Sequence, residues 1–187
     1  MATTNTGISK FKSNFRGGAR PNLFECRVQF PGFRGTQLGT QGNAEKARFL
    51  IKATSGIPSS TLGQIEVPFR GRNLTVAGDM TFAEVWQITV INDVDFDLRD
   101  AFESWMNRIN NHEANVSDYG DLSYMQDMEL VQLDRDGNDN GIKTYNFIDA
   151  FPTAVSAIGL DMKTNDEIEE FTVDFQYQYW TTAGVTT

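Results

Sequence analysis

The chain has 187 residues and a formal net charge of −9, with 16 Lys and Arg against 25 Asp and Glu. This length fits one domain, or one domain with long arms, and a content of 40% hydrophobic and 12% aromatic residues excludes a disordered chain. Cys26 and His112 are the single cysteine and the single histidine, which excludes a disulfide framework within the chain and zinc sites built from several Cys or His. We therefore expect no cofactor.

The charge is unevenly distributed along the chain. Residues 1–80 hold 11 basic and 4 acidic residues, a net charge of +7, so residues 81–187 carry the remaining 5 basic and 21 acidic residues, a net charge of −16. Such polarity indicates either two faces that attract each other between copies or simply solvated surface. The acidic total argues against tight DNA binding, which needs a basic surface to neutralise phosphates.

The N-terminal residues 1–20 are polar and basic, with only three separated apolar side chains, Ile8, Phe11 and Phe15. They cannot form a core alone and are predicted to be a flexible arm that is disordered or docks elsewhere. The arm lacks the apolar stretch of a secretory signal, and no apolar run in the chain approaches the ~20 residues of a membrane helix. Residues 21–187 are expected to form a single domain without membrane insertion.

The first half of that domain reads as strands and loops. Leu23, Phe24 and Val28 indicate a first strand, residues 31–44 a glycine-rich loop, and residues 47–54 and 64–69 two further strands. Pro68 lacks an N–H and therefore places its strand at an edge or a bulge. Arg70-Gly71-Arg72 is predicted to be a hairpin tip, with Leu74 and Val76 on the returning strand.

Clear periodicities dominate the second half. Trp86, Ile88 and Val90 alternate with polar residues within a predicted strand over residues 84–91. Residues 96–110 are predicted to be the only helix: Asp95 is the expected N-cap, and an apolar stripe runs along one side through Leu98, Phe102, Trp105 and Ile109.

The remaining predicted strands cover residues 127–134, 142–151 and 168–180. In the last of these, Phe171, Val173, Phe175, Tyr177 and Tyr179 are expected to face the core, with polar residues on the wet face between them. The fold class is therefore mostly β, an antiparallel sandwich or barrel with one flanking helix.

The sequence contains no convincing catalytic or metal-binding pattern. Asp136, Asn138 and Asn140 match the first half of a calcium loop, but Phe147 stands where the final Glu is required, so a turn is the better interpretation. His112 lacks a nucleophile elbow and is interpreted as a surface residue. The carboxylates of residues 161–174 are more typical of a solvated rim than of a glycosidase site. We expect a binding or structural protein rather than an enzyme.

Three stretches together resemble the tail tube proteins of contractile-tailed bacteriophages. The first is ARPNLF at residues 19–24. The second lies within residues 52–105 and contains KATSGIP, VPFRGRNLTVAGDMTF, WQITVIND and RDAFESW, and the third is NDEIEEFTVDFQYQYW, which ends at Trp180. The resemblance covers most of residues 19–180 and keeps the order and spacing of the stretches.

The resemblance implies a tail-tube-like fold and a structural, non-enzymatic role. Six copies would form a ring, rings would stack into a hollow tube inside a sheath, and the viral genome would pass through the tube during ejection. The implied partners are further copies of the chain, the sheath, baseplate, tail terminator and tape-measure proteins, and transiently passing DNA. The implied location is the virion, after assembly in the host cytoplasm.

Two alternatives stay open at this point. Tubes of type VI secretion systems and of phage-tail-like bacteriocins share the fold, so the chain could belong to a bacterial contractile injection or secretion system. The second alternative, from a different class of protein, is an enzyme or sugar-binding β-sandwich.

These expectations point to two groups of functional residues. Lumen-facing residues are expected on the wet face of the last strand, at Thr172, Asp174, Gln176 and Gln178. Contacts between subunits are expected in the hairpin and the arm, at Pro68, Arg70, Arg72, Phe11, Phe15 and Arg16.

Overall fold

The computed structural model describes residues 6–32, 41–82, 85–117, 122–135 and 141–183. These contain three helices, α1 (Thr6–Phe15), α2 (Gln41–Leu50) and α3 (Asp97–Ile109). They also contain nine strands: β1 (Phe24–Val28), β2 (Ile51–Thr54), β3 (Thr61–Phe69), β4 (Arg72–Thr81), β5 (Trp86–Ile91), β6 (Gln126–Gln132), β7 (Lys143–Val155), β8 (Glu170–Gln176) and β9 (Tyr179–Thr182). No helix among the described residues is long and apolar enough to cross a membrane.

Seven of the strands form one antiparallel sheet in the order β1-β6-β7-β8-β5-β2, with β9 also paired to β7. The remaining strands, β3 and β4, form a separate two-stranded hairpin. The thirteen-residue β7 joins the two halves of the large sheet, because its first part pairs with β6 and β9 and its last part pairs with β8. The mostly-β, antiparallel prediction is therefore confirmed.

The core lies between the large sheet and α3. The alternation in β8 buries Phe171, Val173 and Phe175, and the stripe of α3 buries Leu98, Phe102 and Trp105 against them. Phe102 meets Phe175 with ring centroids 5.9 Å apart, and Trp105 meets Phe175 at 6.2 Å. These buried faces are the ones that the period-2 and period-3.6 patterns predict.

Helix α2 corrects the predicted strand at residues 47–54, of which only β2 is extended, and the predicted loop at 31–44, whose last residues begin the helix. Its inward residues Asn43, Ala47 and Leu50 recur at helical spacing, and Ala47 is fully buried. Lys46 and Arg48 tie α2 to its surroundings through ion pairs with Asp93 and Glu25. Residues 33–40 of the predicted loop lie outside the described part of the chain.

Two more helix predictions change. Within the predicted arm, residues 6–15 form α1, so the expectation of a single helix is wrong. Gly17 and Gly18 follow shortly after the end of α1 at Phe15, and their φ angles of 90° and 67° suit a glycine stop signal. Helix α3 begins one residue later than expected: its N-cap position is Phe96 in the left-handed region, without a side-chain cap, so Asp95 is not the cap.

The C-terminal strand is interrupted, which overturns the predicted burial of Tyr179. Strand β8 ends at Gln176, and after Tyr177 and Gln178 the chain pairs with β7 as β9. The alternation restarts there, so Thr182 is buried whereas Tyr179 is 45% exposed.

Cys26 is buried, as expected of a small apolar residue, and burial raises the pKa of its thiol. Five of the six residues of the calcium-like turn, 136–140, lie outside the described chain.

Candidate functional site

The hairpin β3–β4 has a tightly specified turn. Arg70 and Gly71 both have positive φ, 46° and 81°, which is the geometry of a two-residue type I′ turn. Phe69 and Arg72 are the closing pair of the ladder. The predicted tip is therefore confirmed, but the strands have nine and ten residues and extend well beyond the predicted ones. Among the described residues, neither Arg70 nor Arg72 forms an ion pair, and the Arg70 guanidinium lies 5.3 Å from the Phe69 ring centre.

The hairpin is amphipathic and largely uncovered. Cross-strand pairs Ile65–Val76 and Val67–Leu74 place four apolar side chains on one face. All four are exposed, with 45% of Val67 and 60% of Leu74 accessible to solvent. Because isolated two-stranded hairpins are at best marginally stable in water, an uncovered apolar face of this length indicates a surface that packs against something else.

The two outer edges of the hairpin differ. In a two-residue hairpin the closing pair is hydrogen-bonded and the next pair, Pro68–Asn73, is not, so the Pro68 nitrogen points to the outer edge of β3. That edge therefore lacks a donor. The outer edge of β4 presents the backbone groups of Asn73, Thr75 and Ala77 without a proline, so β4 is the edge better suited to accept another strand.

The wet face of β8 is a polar surface on the side of the sheet opposite α3. Thr172 lies opposite Thr89 of β5, and Asp174 lies opposite Gln87. Gln87 donates a hydrogen bond to the Asp174 carboxylate at 2.6 Å, and the Thr153 hydroxyl donates to the Asp174 carbonyl at 3.2 Å. Asp174 forms no ion pair within the described residues.

The structure separates the four predicted lumen residues. Thr172, Asp174 and Gln176 lie on β8 and are half-buried among their neighbours. Gln178 follows the end of β8, where its backbone N–H donates to the Ile148 carbonyl at 3.1 Å, and its side chain is exposed. The first three thus share one sheet face, and the fourth stands in the bend that leads to β9.

Helix α1 is a second uncovered surface. Ile8, Phe11 and Phe15 lie on one side at helical spacing, and the rings of Phe11 and Phe15 stack with centroids 5.3 Å apart. All three side chains are exposed. Arg16 follows the helix with a φ of 46°. The arm residues that sequence analysis singled out therefore form one apolar and basic surface, distant in sequence from the hairpin.

Two acidic groups already form ion pairs with basic side chains of the same chain: the aspartates around Asp93, and Glu25. Asp93, Asp95 and Asp97 are close enough to meet an ion, but the Lys46 ammonium contacts Asp97 and lies 2.9 Å from Asp93. These hydrogen bonds raise the pKa of Lys46. For Glu25, burial acts to raise the pKa of the carboxyl group. Hydrogen bonds from Arg48 and Arg27 outweigh burial and hold that pKa below its ordinary value.

Sequence analysis missed one exposed segment, residues 157–169 between β7 and β8. It exposes Leu160, Met162 and Ile168, with Met162 fully accessible, alongside several carboxylates. The sequence did contain a signal for this exposed segment: large apolar residues in a polar stretch that follow neither helical nor strand spacing. His112 is exposed at the end of α3, consistent with its interpretation as a surface residue.

Comparisons with known proteins are consistent across most of the chain. The profile of a family described as "Phage tail tube protein" matches residues 19–183. The tail tube protein of Serratia phage KSP90 is 33% identical over 164 residues, which cover 87% of this chain and 88% of that protein. Tail tube protein gp19 of Enterobacteria phage T4 is 30% identical over 162 residues, covering 87% and 90% respectively.

Solved structures show the same fold at low identity. The tube-terminating cap protein of the anti-feeding prophage superposes with a TM-score of 0.61 at 15% identity, covering 88% of this chain and 89% of that chain. A chain of the sheath-tube complex of the PVC extracellular contractile injection system, in the extended state, gives 0.57 at 16% identity, covering 97% and 100%.

Proposed function

This chain belongs to the phage tail tube protein family, and we propose that six copies form a ring and that rings stack into a hollow tube through which the viral genome passes. The chain is a structural subunit of a phage tail tube, not an enzyme, and a component of the virion. Ring closure would arise from a head-to-tail contact between copies.

The observation that carries the proposal is the uncovered hairpin. A subunit that exposes an amphipathic hairpin can cover it only with another surface, and in an assembly of identical copies that surface is on the next subunit. The apolar face, with Val67 and Leu74 at its middle, would pack on the neighbour. The outer edge of β4 would pair with a neighbouring strand, because Pro68 blocks a donor position on β3.

The tip of the hairpin would add charge complementarity. Arg70 and Arg72 have no ion-pair partner within the described chain, and residues 81–187 carry a net charge of −16. Opposite charges between subunits favour one orientation of the contact. The double reversal Arg70→Glu/Arg72→Glu should therefore impair ring assembly and leave subunit folding intact. Arg135 is another exposed arginine, and the control Arg135→Glu should change neither assembly nor folding. Full assembly of the double variant at physiological salt would contradict this role.

The polar face of β8 would line the channel. Helices α2 and α3 contact each other, and α3 packs on the buried side of the sheet, so the other side, with Thr172, Asp174 and Gln176, carries no described helix. Six copies of Asp174 would form an acidic ring. Because Lys and Arg hold DNA by displacing its counterions, an acidic polar wall keeps passing DNA off the surface.

Two measurements test the proposed function. Negative-stain microscopy of the purified chain should show sixfold rings or stacked tubes, and a stable monomer at high concentration would contradict it. In assembled tubes, single cysteines at positions 172, 174 and 176, with Cys26 replaced, should resist bulky thiol reagents in the middle of long tubes. Rapid labelling at all three positions from outside would overturn the lumen assignment.

The implied partners follow from the same proposal. The sheath, baseplate, tail terminator and tape-measure proteins would contact the tube, and assembly would take place in the host cytoplasm. Structurally similar chains have been solved in a sheath-tube complex, a tube cap and a baseplate. The alternative of a bacterial injection or secretion system is less favoured, because the relatives at 30% identity or more are phage proteins.

A further inference from the structure

Helix α1 has a surface that the other described residues of its own chain leave open. Its ten residues are too few for a stable isolated helix in water, so packing must stabilise it. Its apolar side carries Ile8, Phe11 and Phe15, with Phe11 63% exposed. Residues 6–20 include Lys10, Lys12, Arg16 and Arg20 and no acidic residue. Whatever covers this helix should therefore be apolar at its centre and acidic around it.

Residues 157–169, named here the acidic loop, have these properties. The loop carries Asp161, Asp166, Glu167 and Glu169 against the single base Lys163. Neither Asp161, Asp166 nor Glu167 forms an ion pair within the described chain.

The acidic loop encloses a recess. Its volume is about 290 Å³, and its lining combines the apolar residues Ile158, Leu160 and Ile168 with polar and acidic ones, among them Asp161, Thr164 and Glu167. A recess that places carboxylates beside apolar side chains is a complement for aromatic side chains flanked by lysine and arginine.

Several other acidic residues of the chain are less suitable partners for the basic side chains of α1. The carboxylates of Asp93 and Asp97 already contact Lys46, and Glu25 already contacts Arg27 and Arg48. Glu170, beside the acidic loop, is paired with Lys52 at 2.5 Å. The acidic loop thus combines unpaired carboxylates with bare apolar side chains.

We infer that α1 of one copy docks in the acidic loop of a neighbouring copy, with the stacked Phe11–Phe15 pair against the recess and Lys12 and Arg16 beside its carboxylates. Lys12 is four residues after Ile8 on the helix and therefore lies beside the apolar stripe, and Arg16 follows Phe15 directly at the end of α1. The Gln132 side chain of the same chain donates hydrogen bonds to the Arg20 and Leu23 carbonyls, so the free connection to α1 runs from Arg16 to Arg20. These five residues can carry the helix at most about 18 Å from that anchor towards an adjacent subunit. The inference rests on the proposed assembly of copies and names one of its contacts.

Cross-linking tests the contact without requiring tubes. A tagged chain carrying Asn14→Cys is mixed with an untagged chain carrying Thr164→Cys. Cys26 is buried and stays in place. Mild oxidation should give a disulfide-linked pair of one tagged and one untagged chain. The control pairs Asn14→Cys with Glu113→Cys, an exposed position at the end of α3, and should give no such product. Equal products from both mixtures, or none from the first, would overturn the inference.

A charge swap tests the chemistry of the contact. Lys12→Glu/Arg16→Glu should raise the subunit concentration needed for assembly about tenfold, the effect of two ion pairs worth together about 1.4 kcal/mol. Asp166→Lys/Glu167→Lys should do the same, and mixing or combining the two changes should restore assembly. Glu113→Lys is the matched control and should have no effect.

The outcomes separate the inference from the proposed function. If wild-type chains form tubes and the charge-reversed chains form them equally well, the contact is wrong and the tube stands. If the losses are not restored by the swap, α1 docks on a different acidic surface and the inference fails. If wild-type chains form no rings, the proposed function fails, and the cross-linking result alone decides whether α1 and the acidic loop meet.

Discussion

The exposed apolar face of the hairpin allows a test that separates folding from assembly. The double substitution Val67→Thr/Leu74→Thr removes two apolar side chains at the middle of the face and keeps residues that suit a strand. Both side chains are substantially exposed in the subunit, 45% for Val67 and 60% for Leu74. The substitution should therefore change the free energy of unfolding of the dispersed subunit by less than about 0.5 kcal/mol.

The effect on assembly should be much larger. Complete burial of a valine or leucine side chain is worth roughly 1.5–3 kcal/mol, and about half of each side chain remains to be buried at a contact with the neighbour. Each then contributes about 1 kcal/mol, and the pair about 2 kcal/mol per contact. That loss corresponds to an association about 30-fold weaker at each contact.

Thermal unfolding of the dispersed subunit and sedimentation of assembled material measure the two quantities. The melting temperature should shift by less than about 2 °C, whereas the subunit concentration at which sedimenting tubes appear should rise by at least an order of magnitude. The matched control Gln64→Thr/Thr75→Ser alters the opposite face of the same hairpin and should leave both quantities unchanged.

Two results would refute this reasoning. A fall in melting temperature of more than about 4 °C would mean that the apolar face packs within its own chain. Assembly of the double variant at the wild-type concentration, with the melting temperature unchanged, would mean that no neighbour covers the face.

Three further predictions concern the subunit alone. Phe102→Ala removes a fully buried ring that lies 5.1 Å from Phe30 and 5.9 Å from Phe175, and urea denaturation should show a loss of about 3–5 kcal/mol. Gly141→Ala should lower stability by about 1–3 kcal/mol in the same assay, because φ is +65° and the new Cβ would lie 2.4 Å from Val131 Cγ1. The pKa of Glu25 is held below its ordinary value of 4.5, so its stabilising effect is complete above that pH and is lost as pH falls through the folded-state pKa. Glu25→Gln should accordingly lower the melting temperature at pH 7, with a difference that shrinks below pH 4.5; a constant difference would contradict the assignment.

Local periodicity determined much of this protein. The alternation at Phe171, Val173 and Phe175, and the stripe of Leu98, Phe102 and Trp105, predicted the buried faces of β8 and α3 correctly. The turn at Arg70-Gly71 was equally readable, because left-handed backbone at a two-residue hairpin loop favours glycine. These patterns depend on side chains within a few residues of one another, so they are visible without the fold.

Tertiary structure decided the rest. Residues 47–50 were predicted to be extended but belong to α2, because Ala47 packs into the core and Lys46 reaches Asp93 across a long stretch of sequence. In the sequence, Tyr179 continues the alternation of β8 and was predicted to face the core. In the structure it lies on β9, which pairs with β7, and its side chain is exposed. The same limit applies to the functional surfaces. Alternation placed Ile65 and Val67 on one side of a strand, but only the absence of a covering element in the described fold shows that this side is bare, because burial depends on contacts between distant segments.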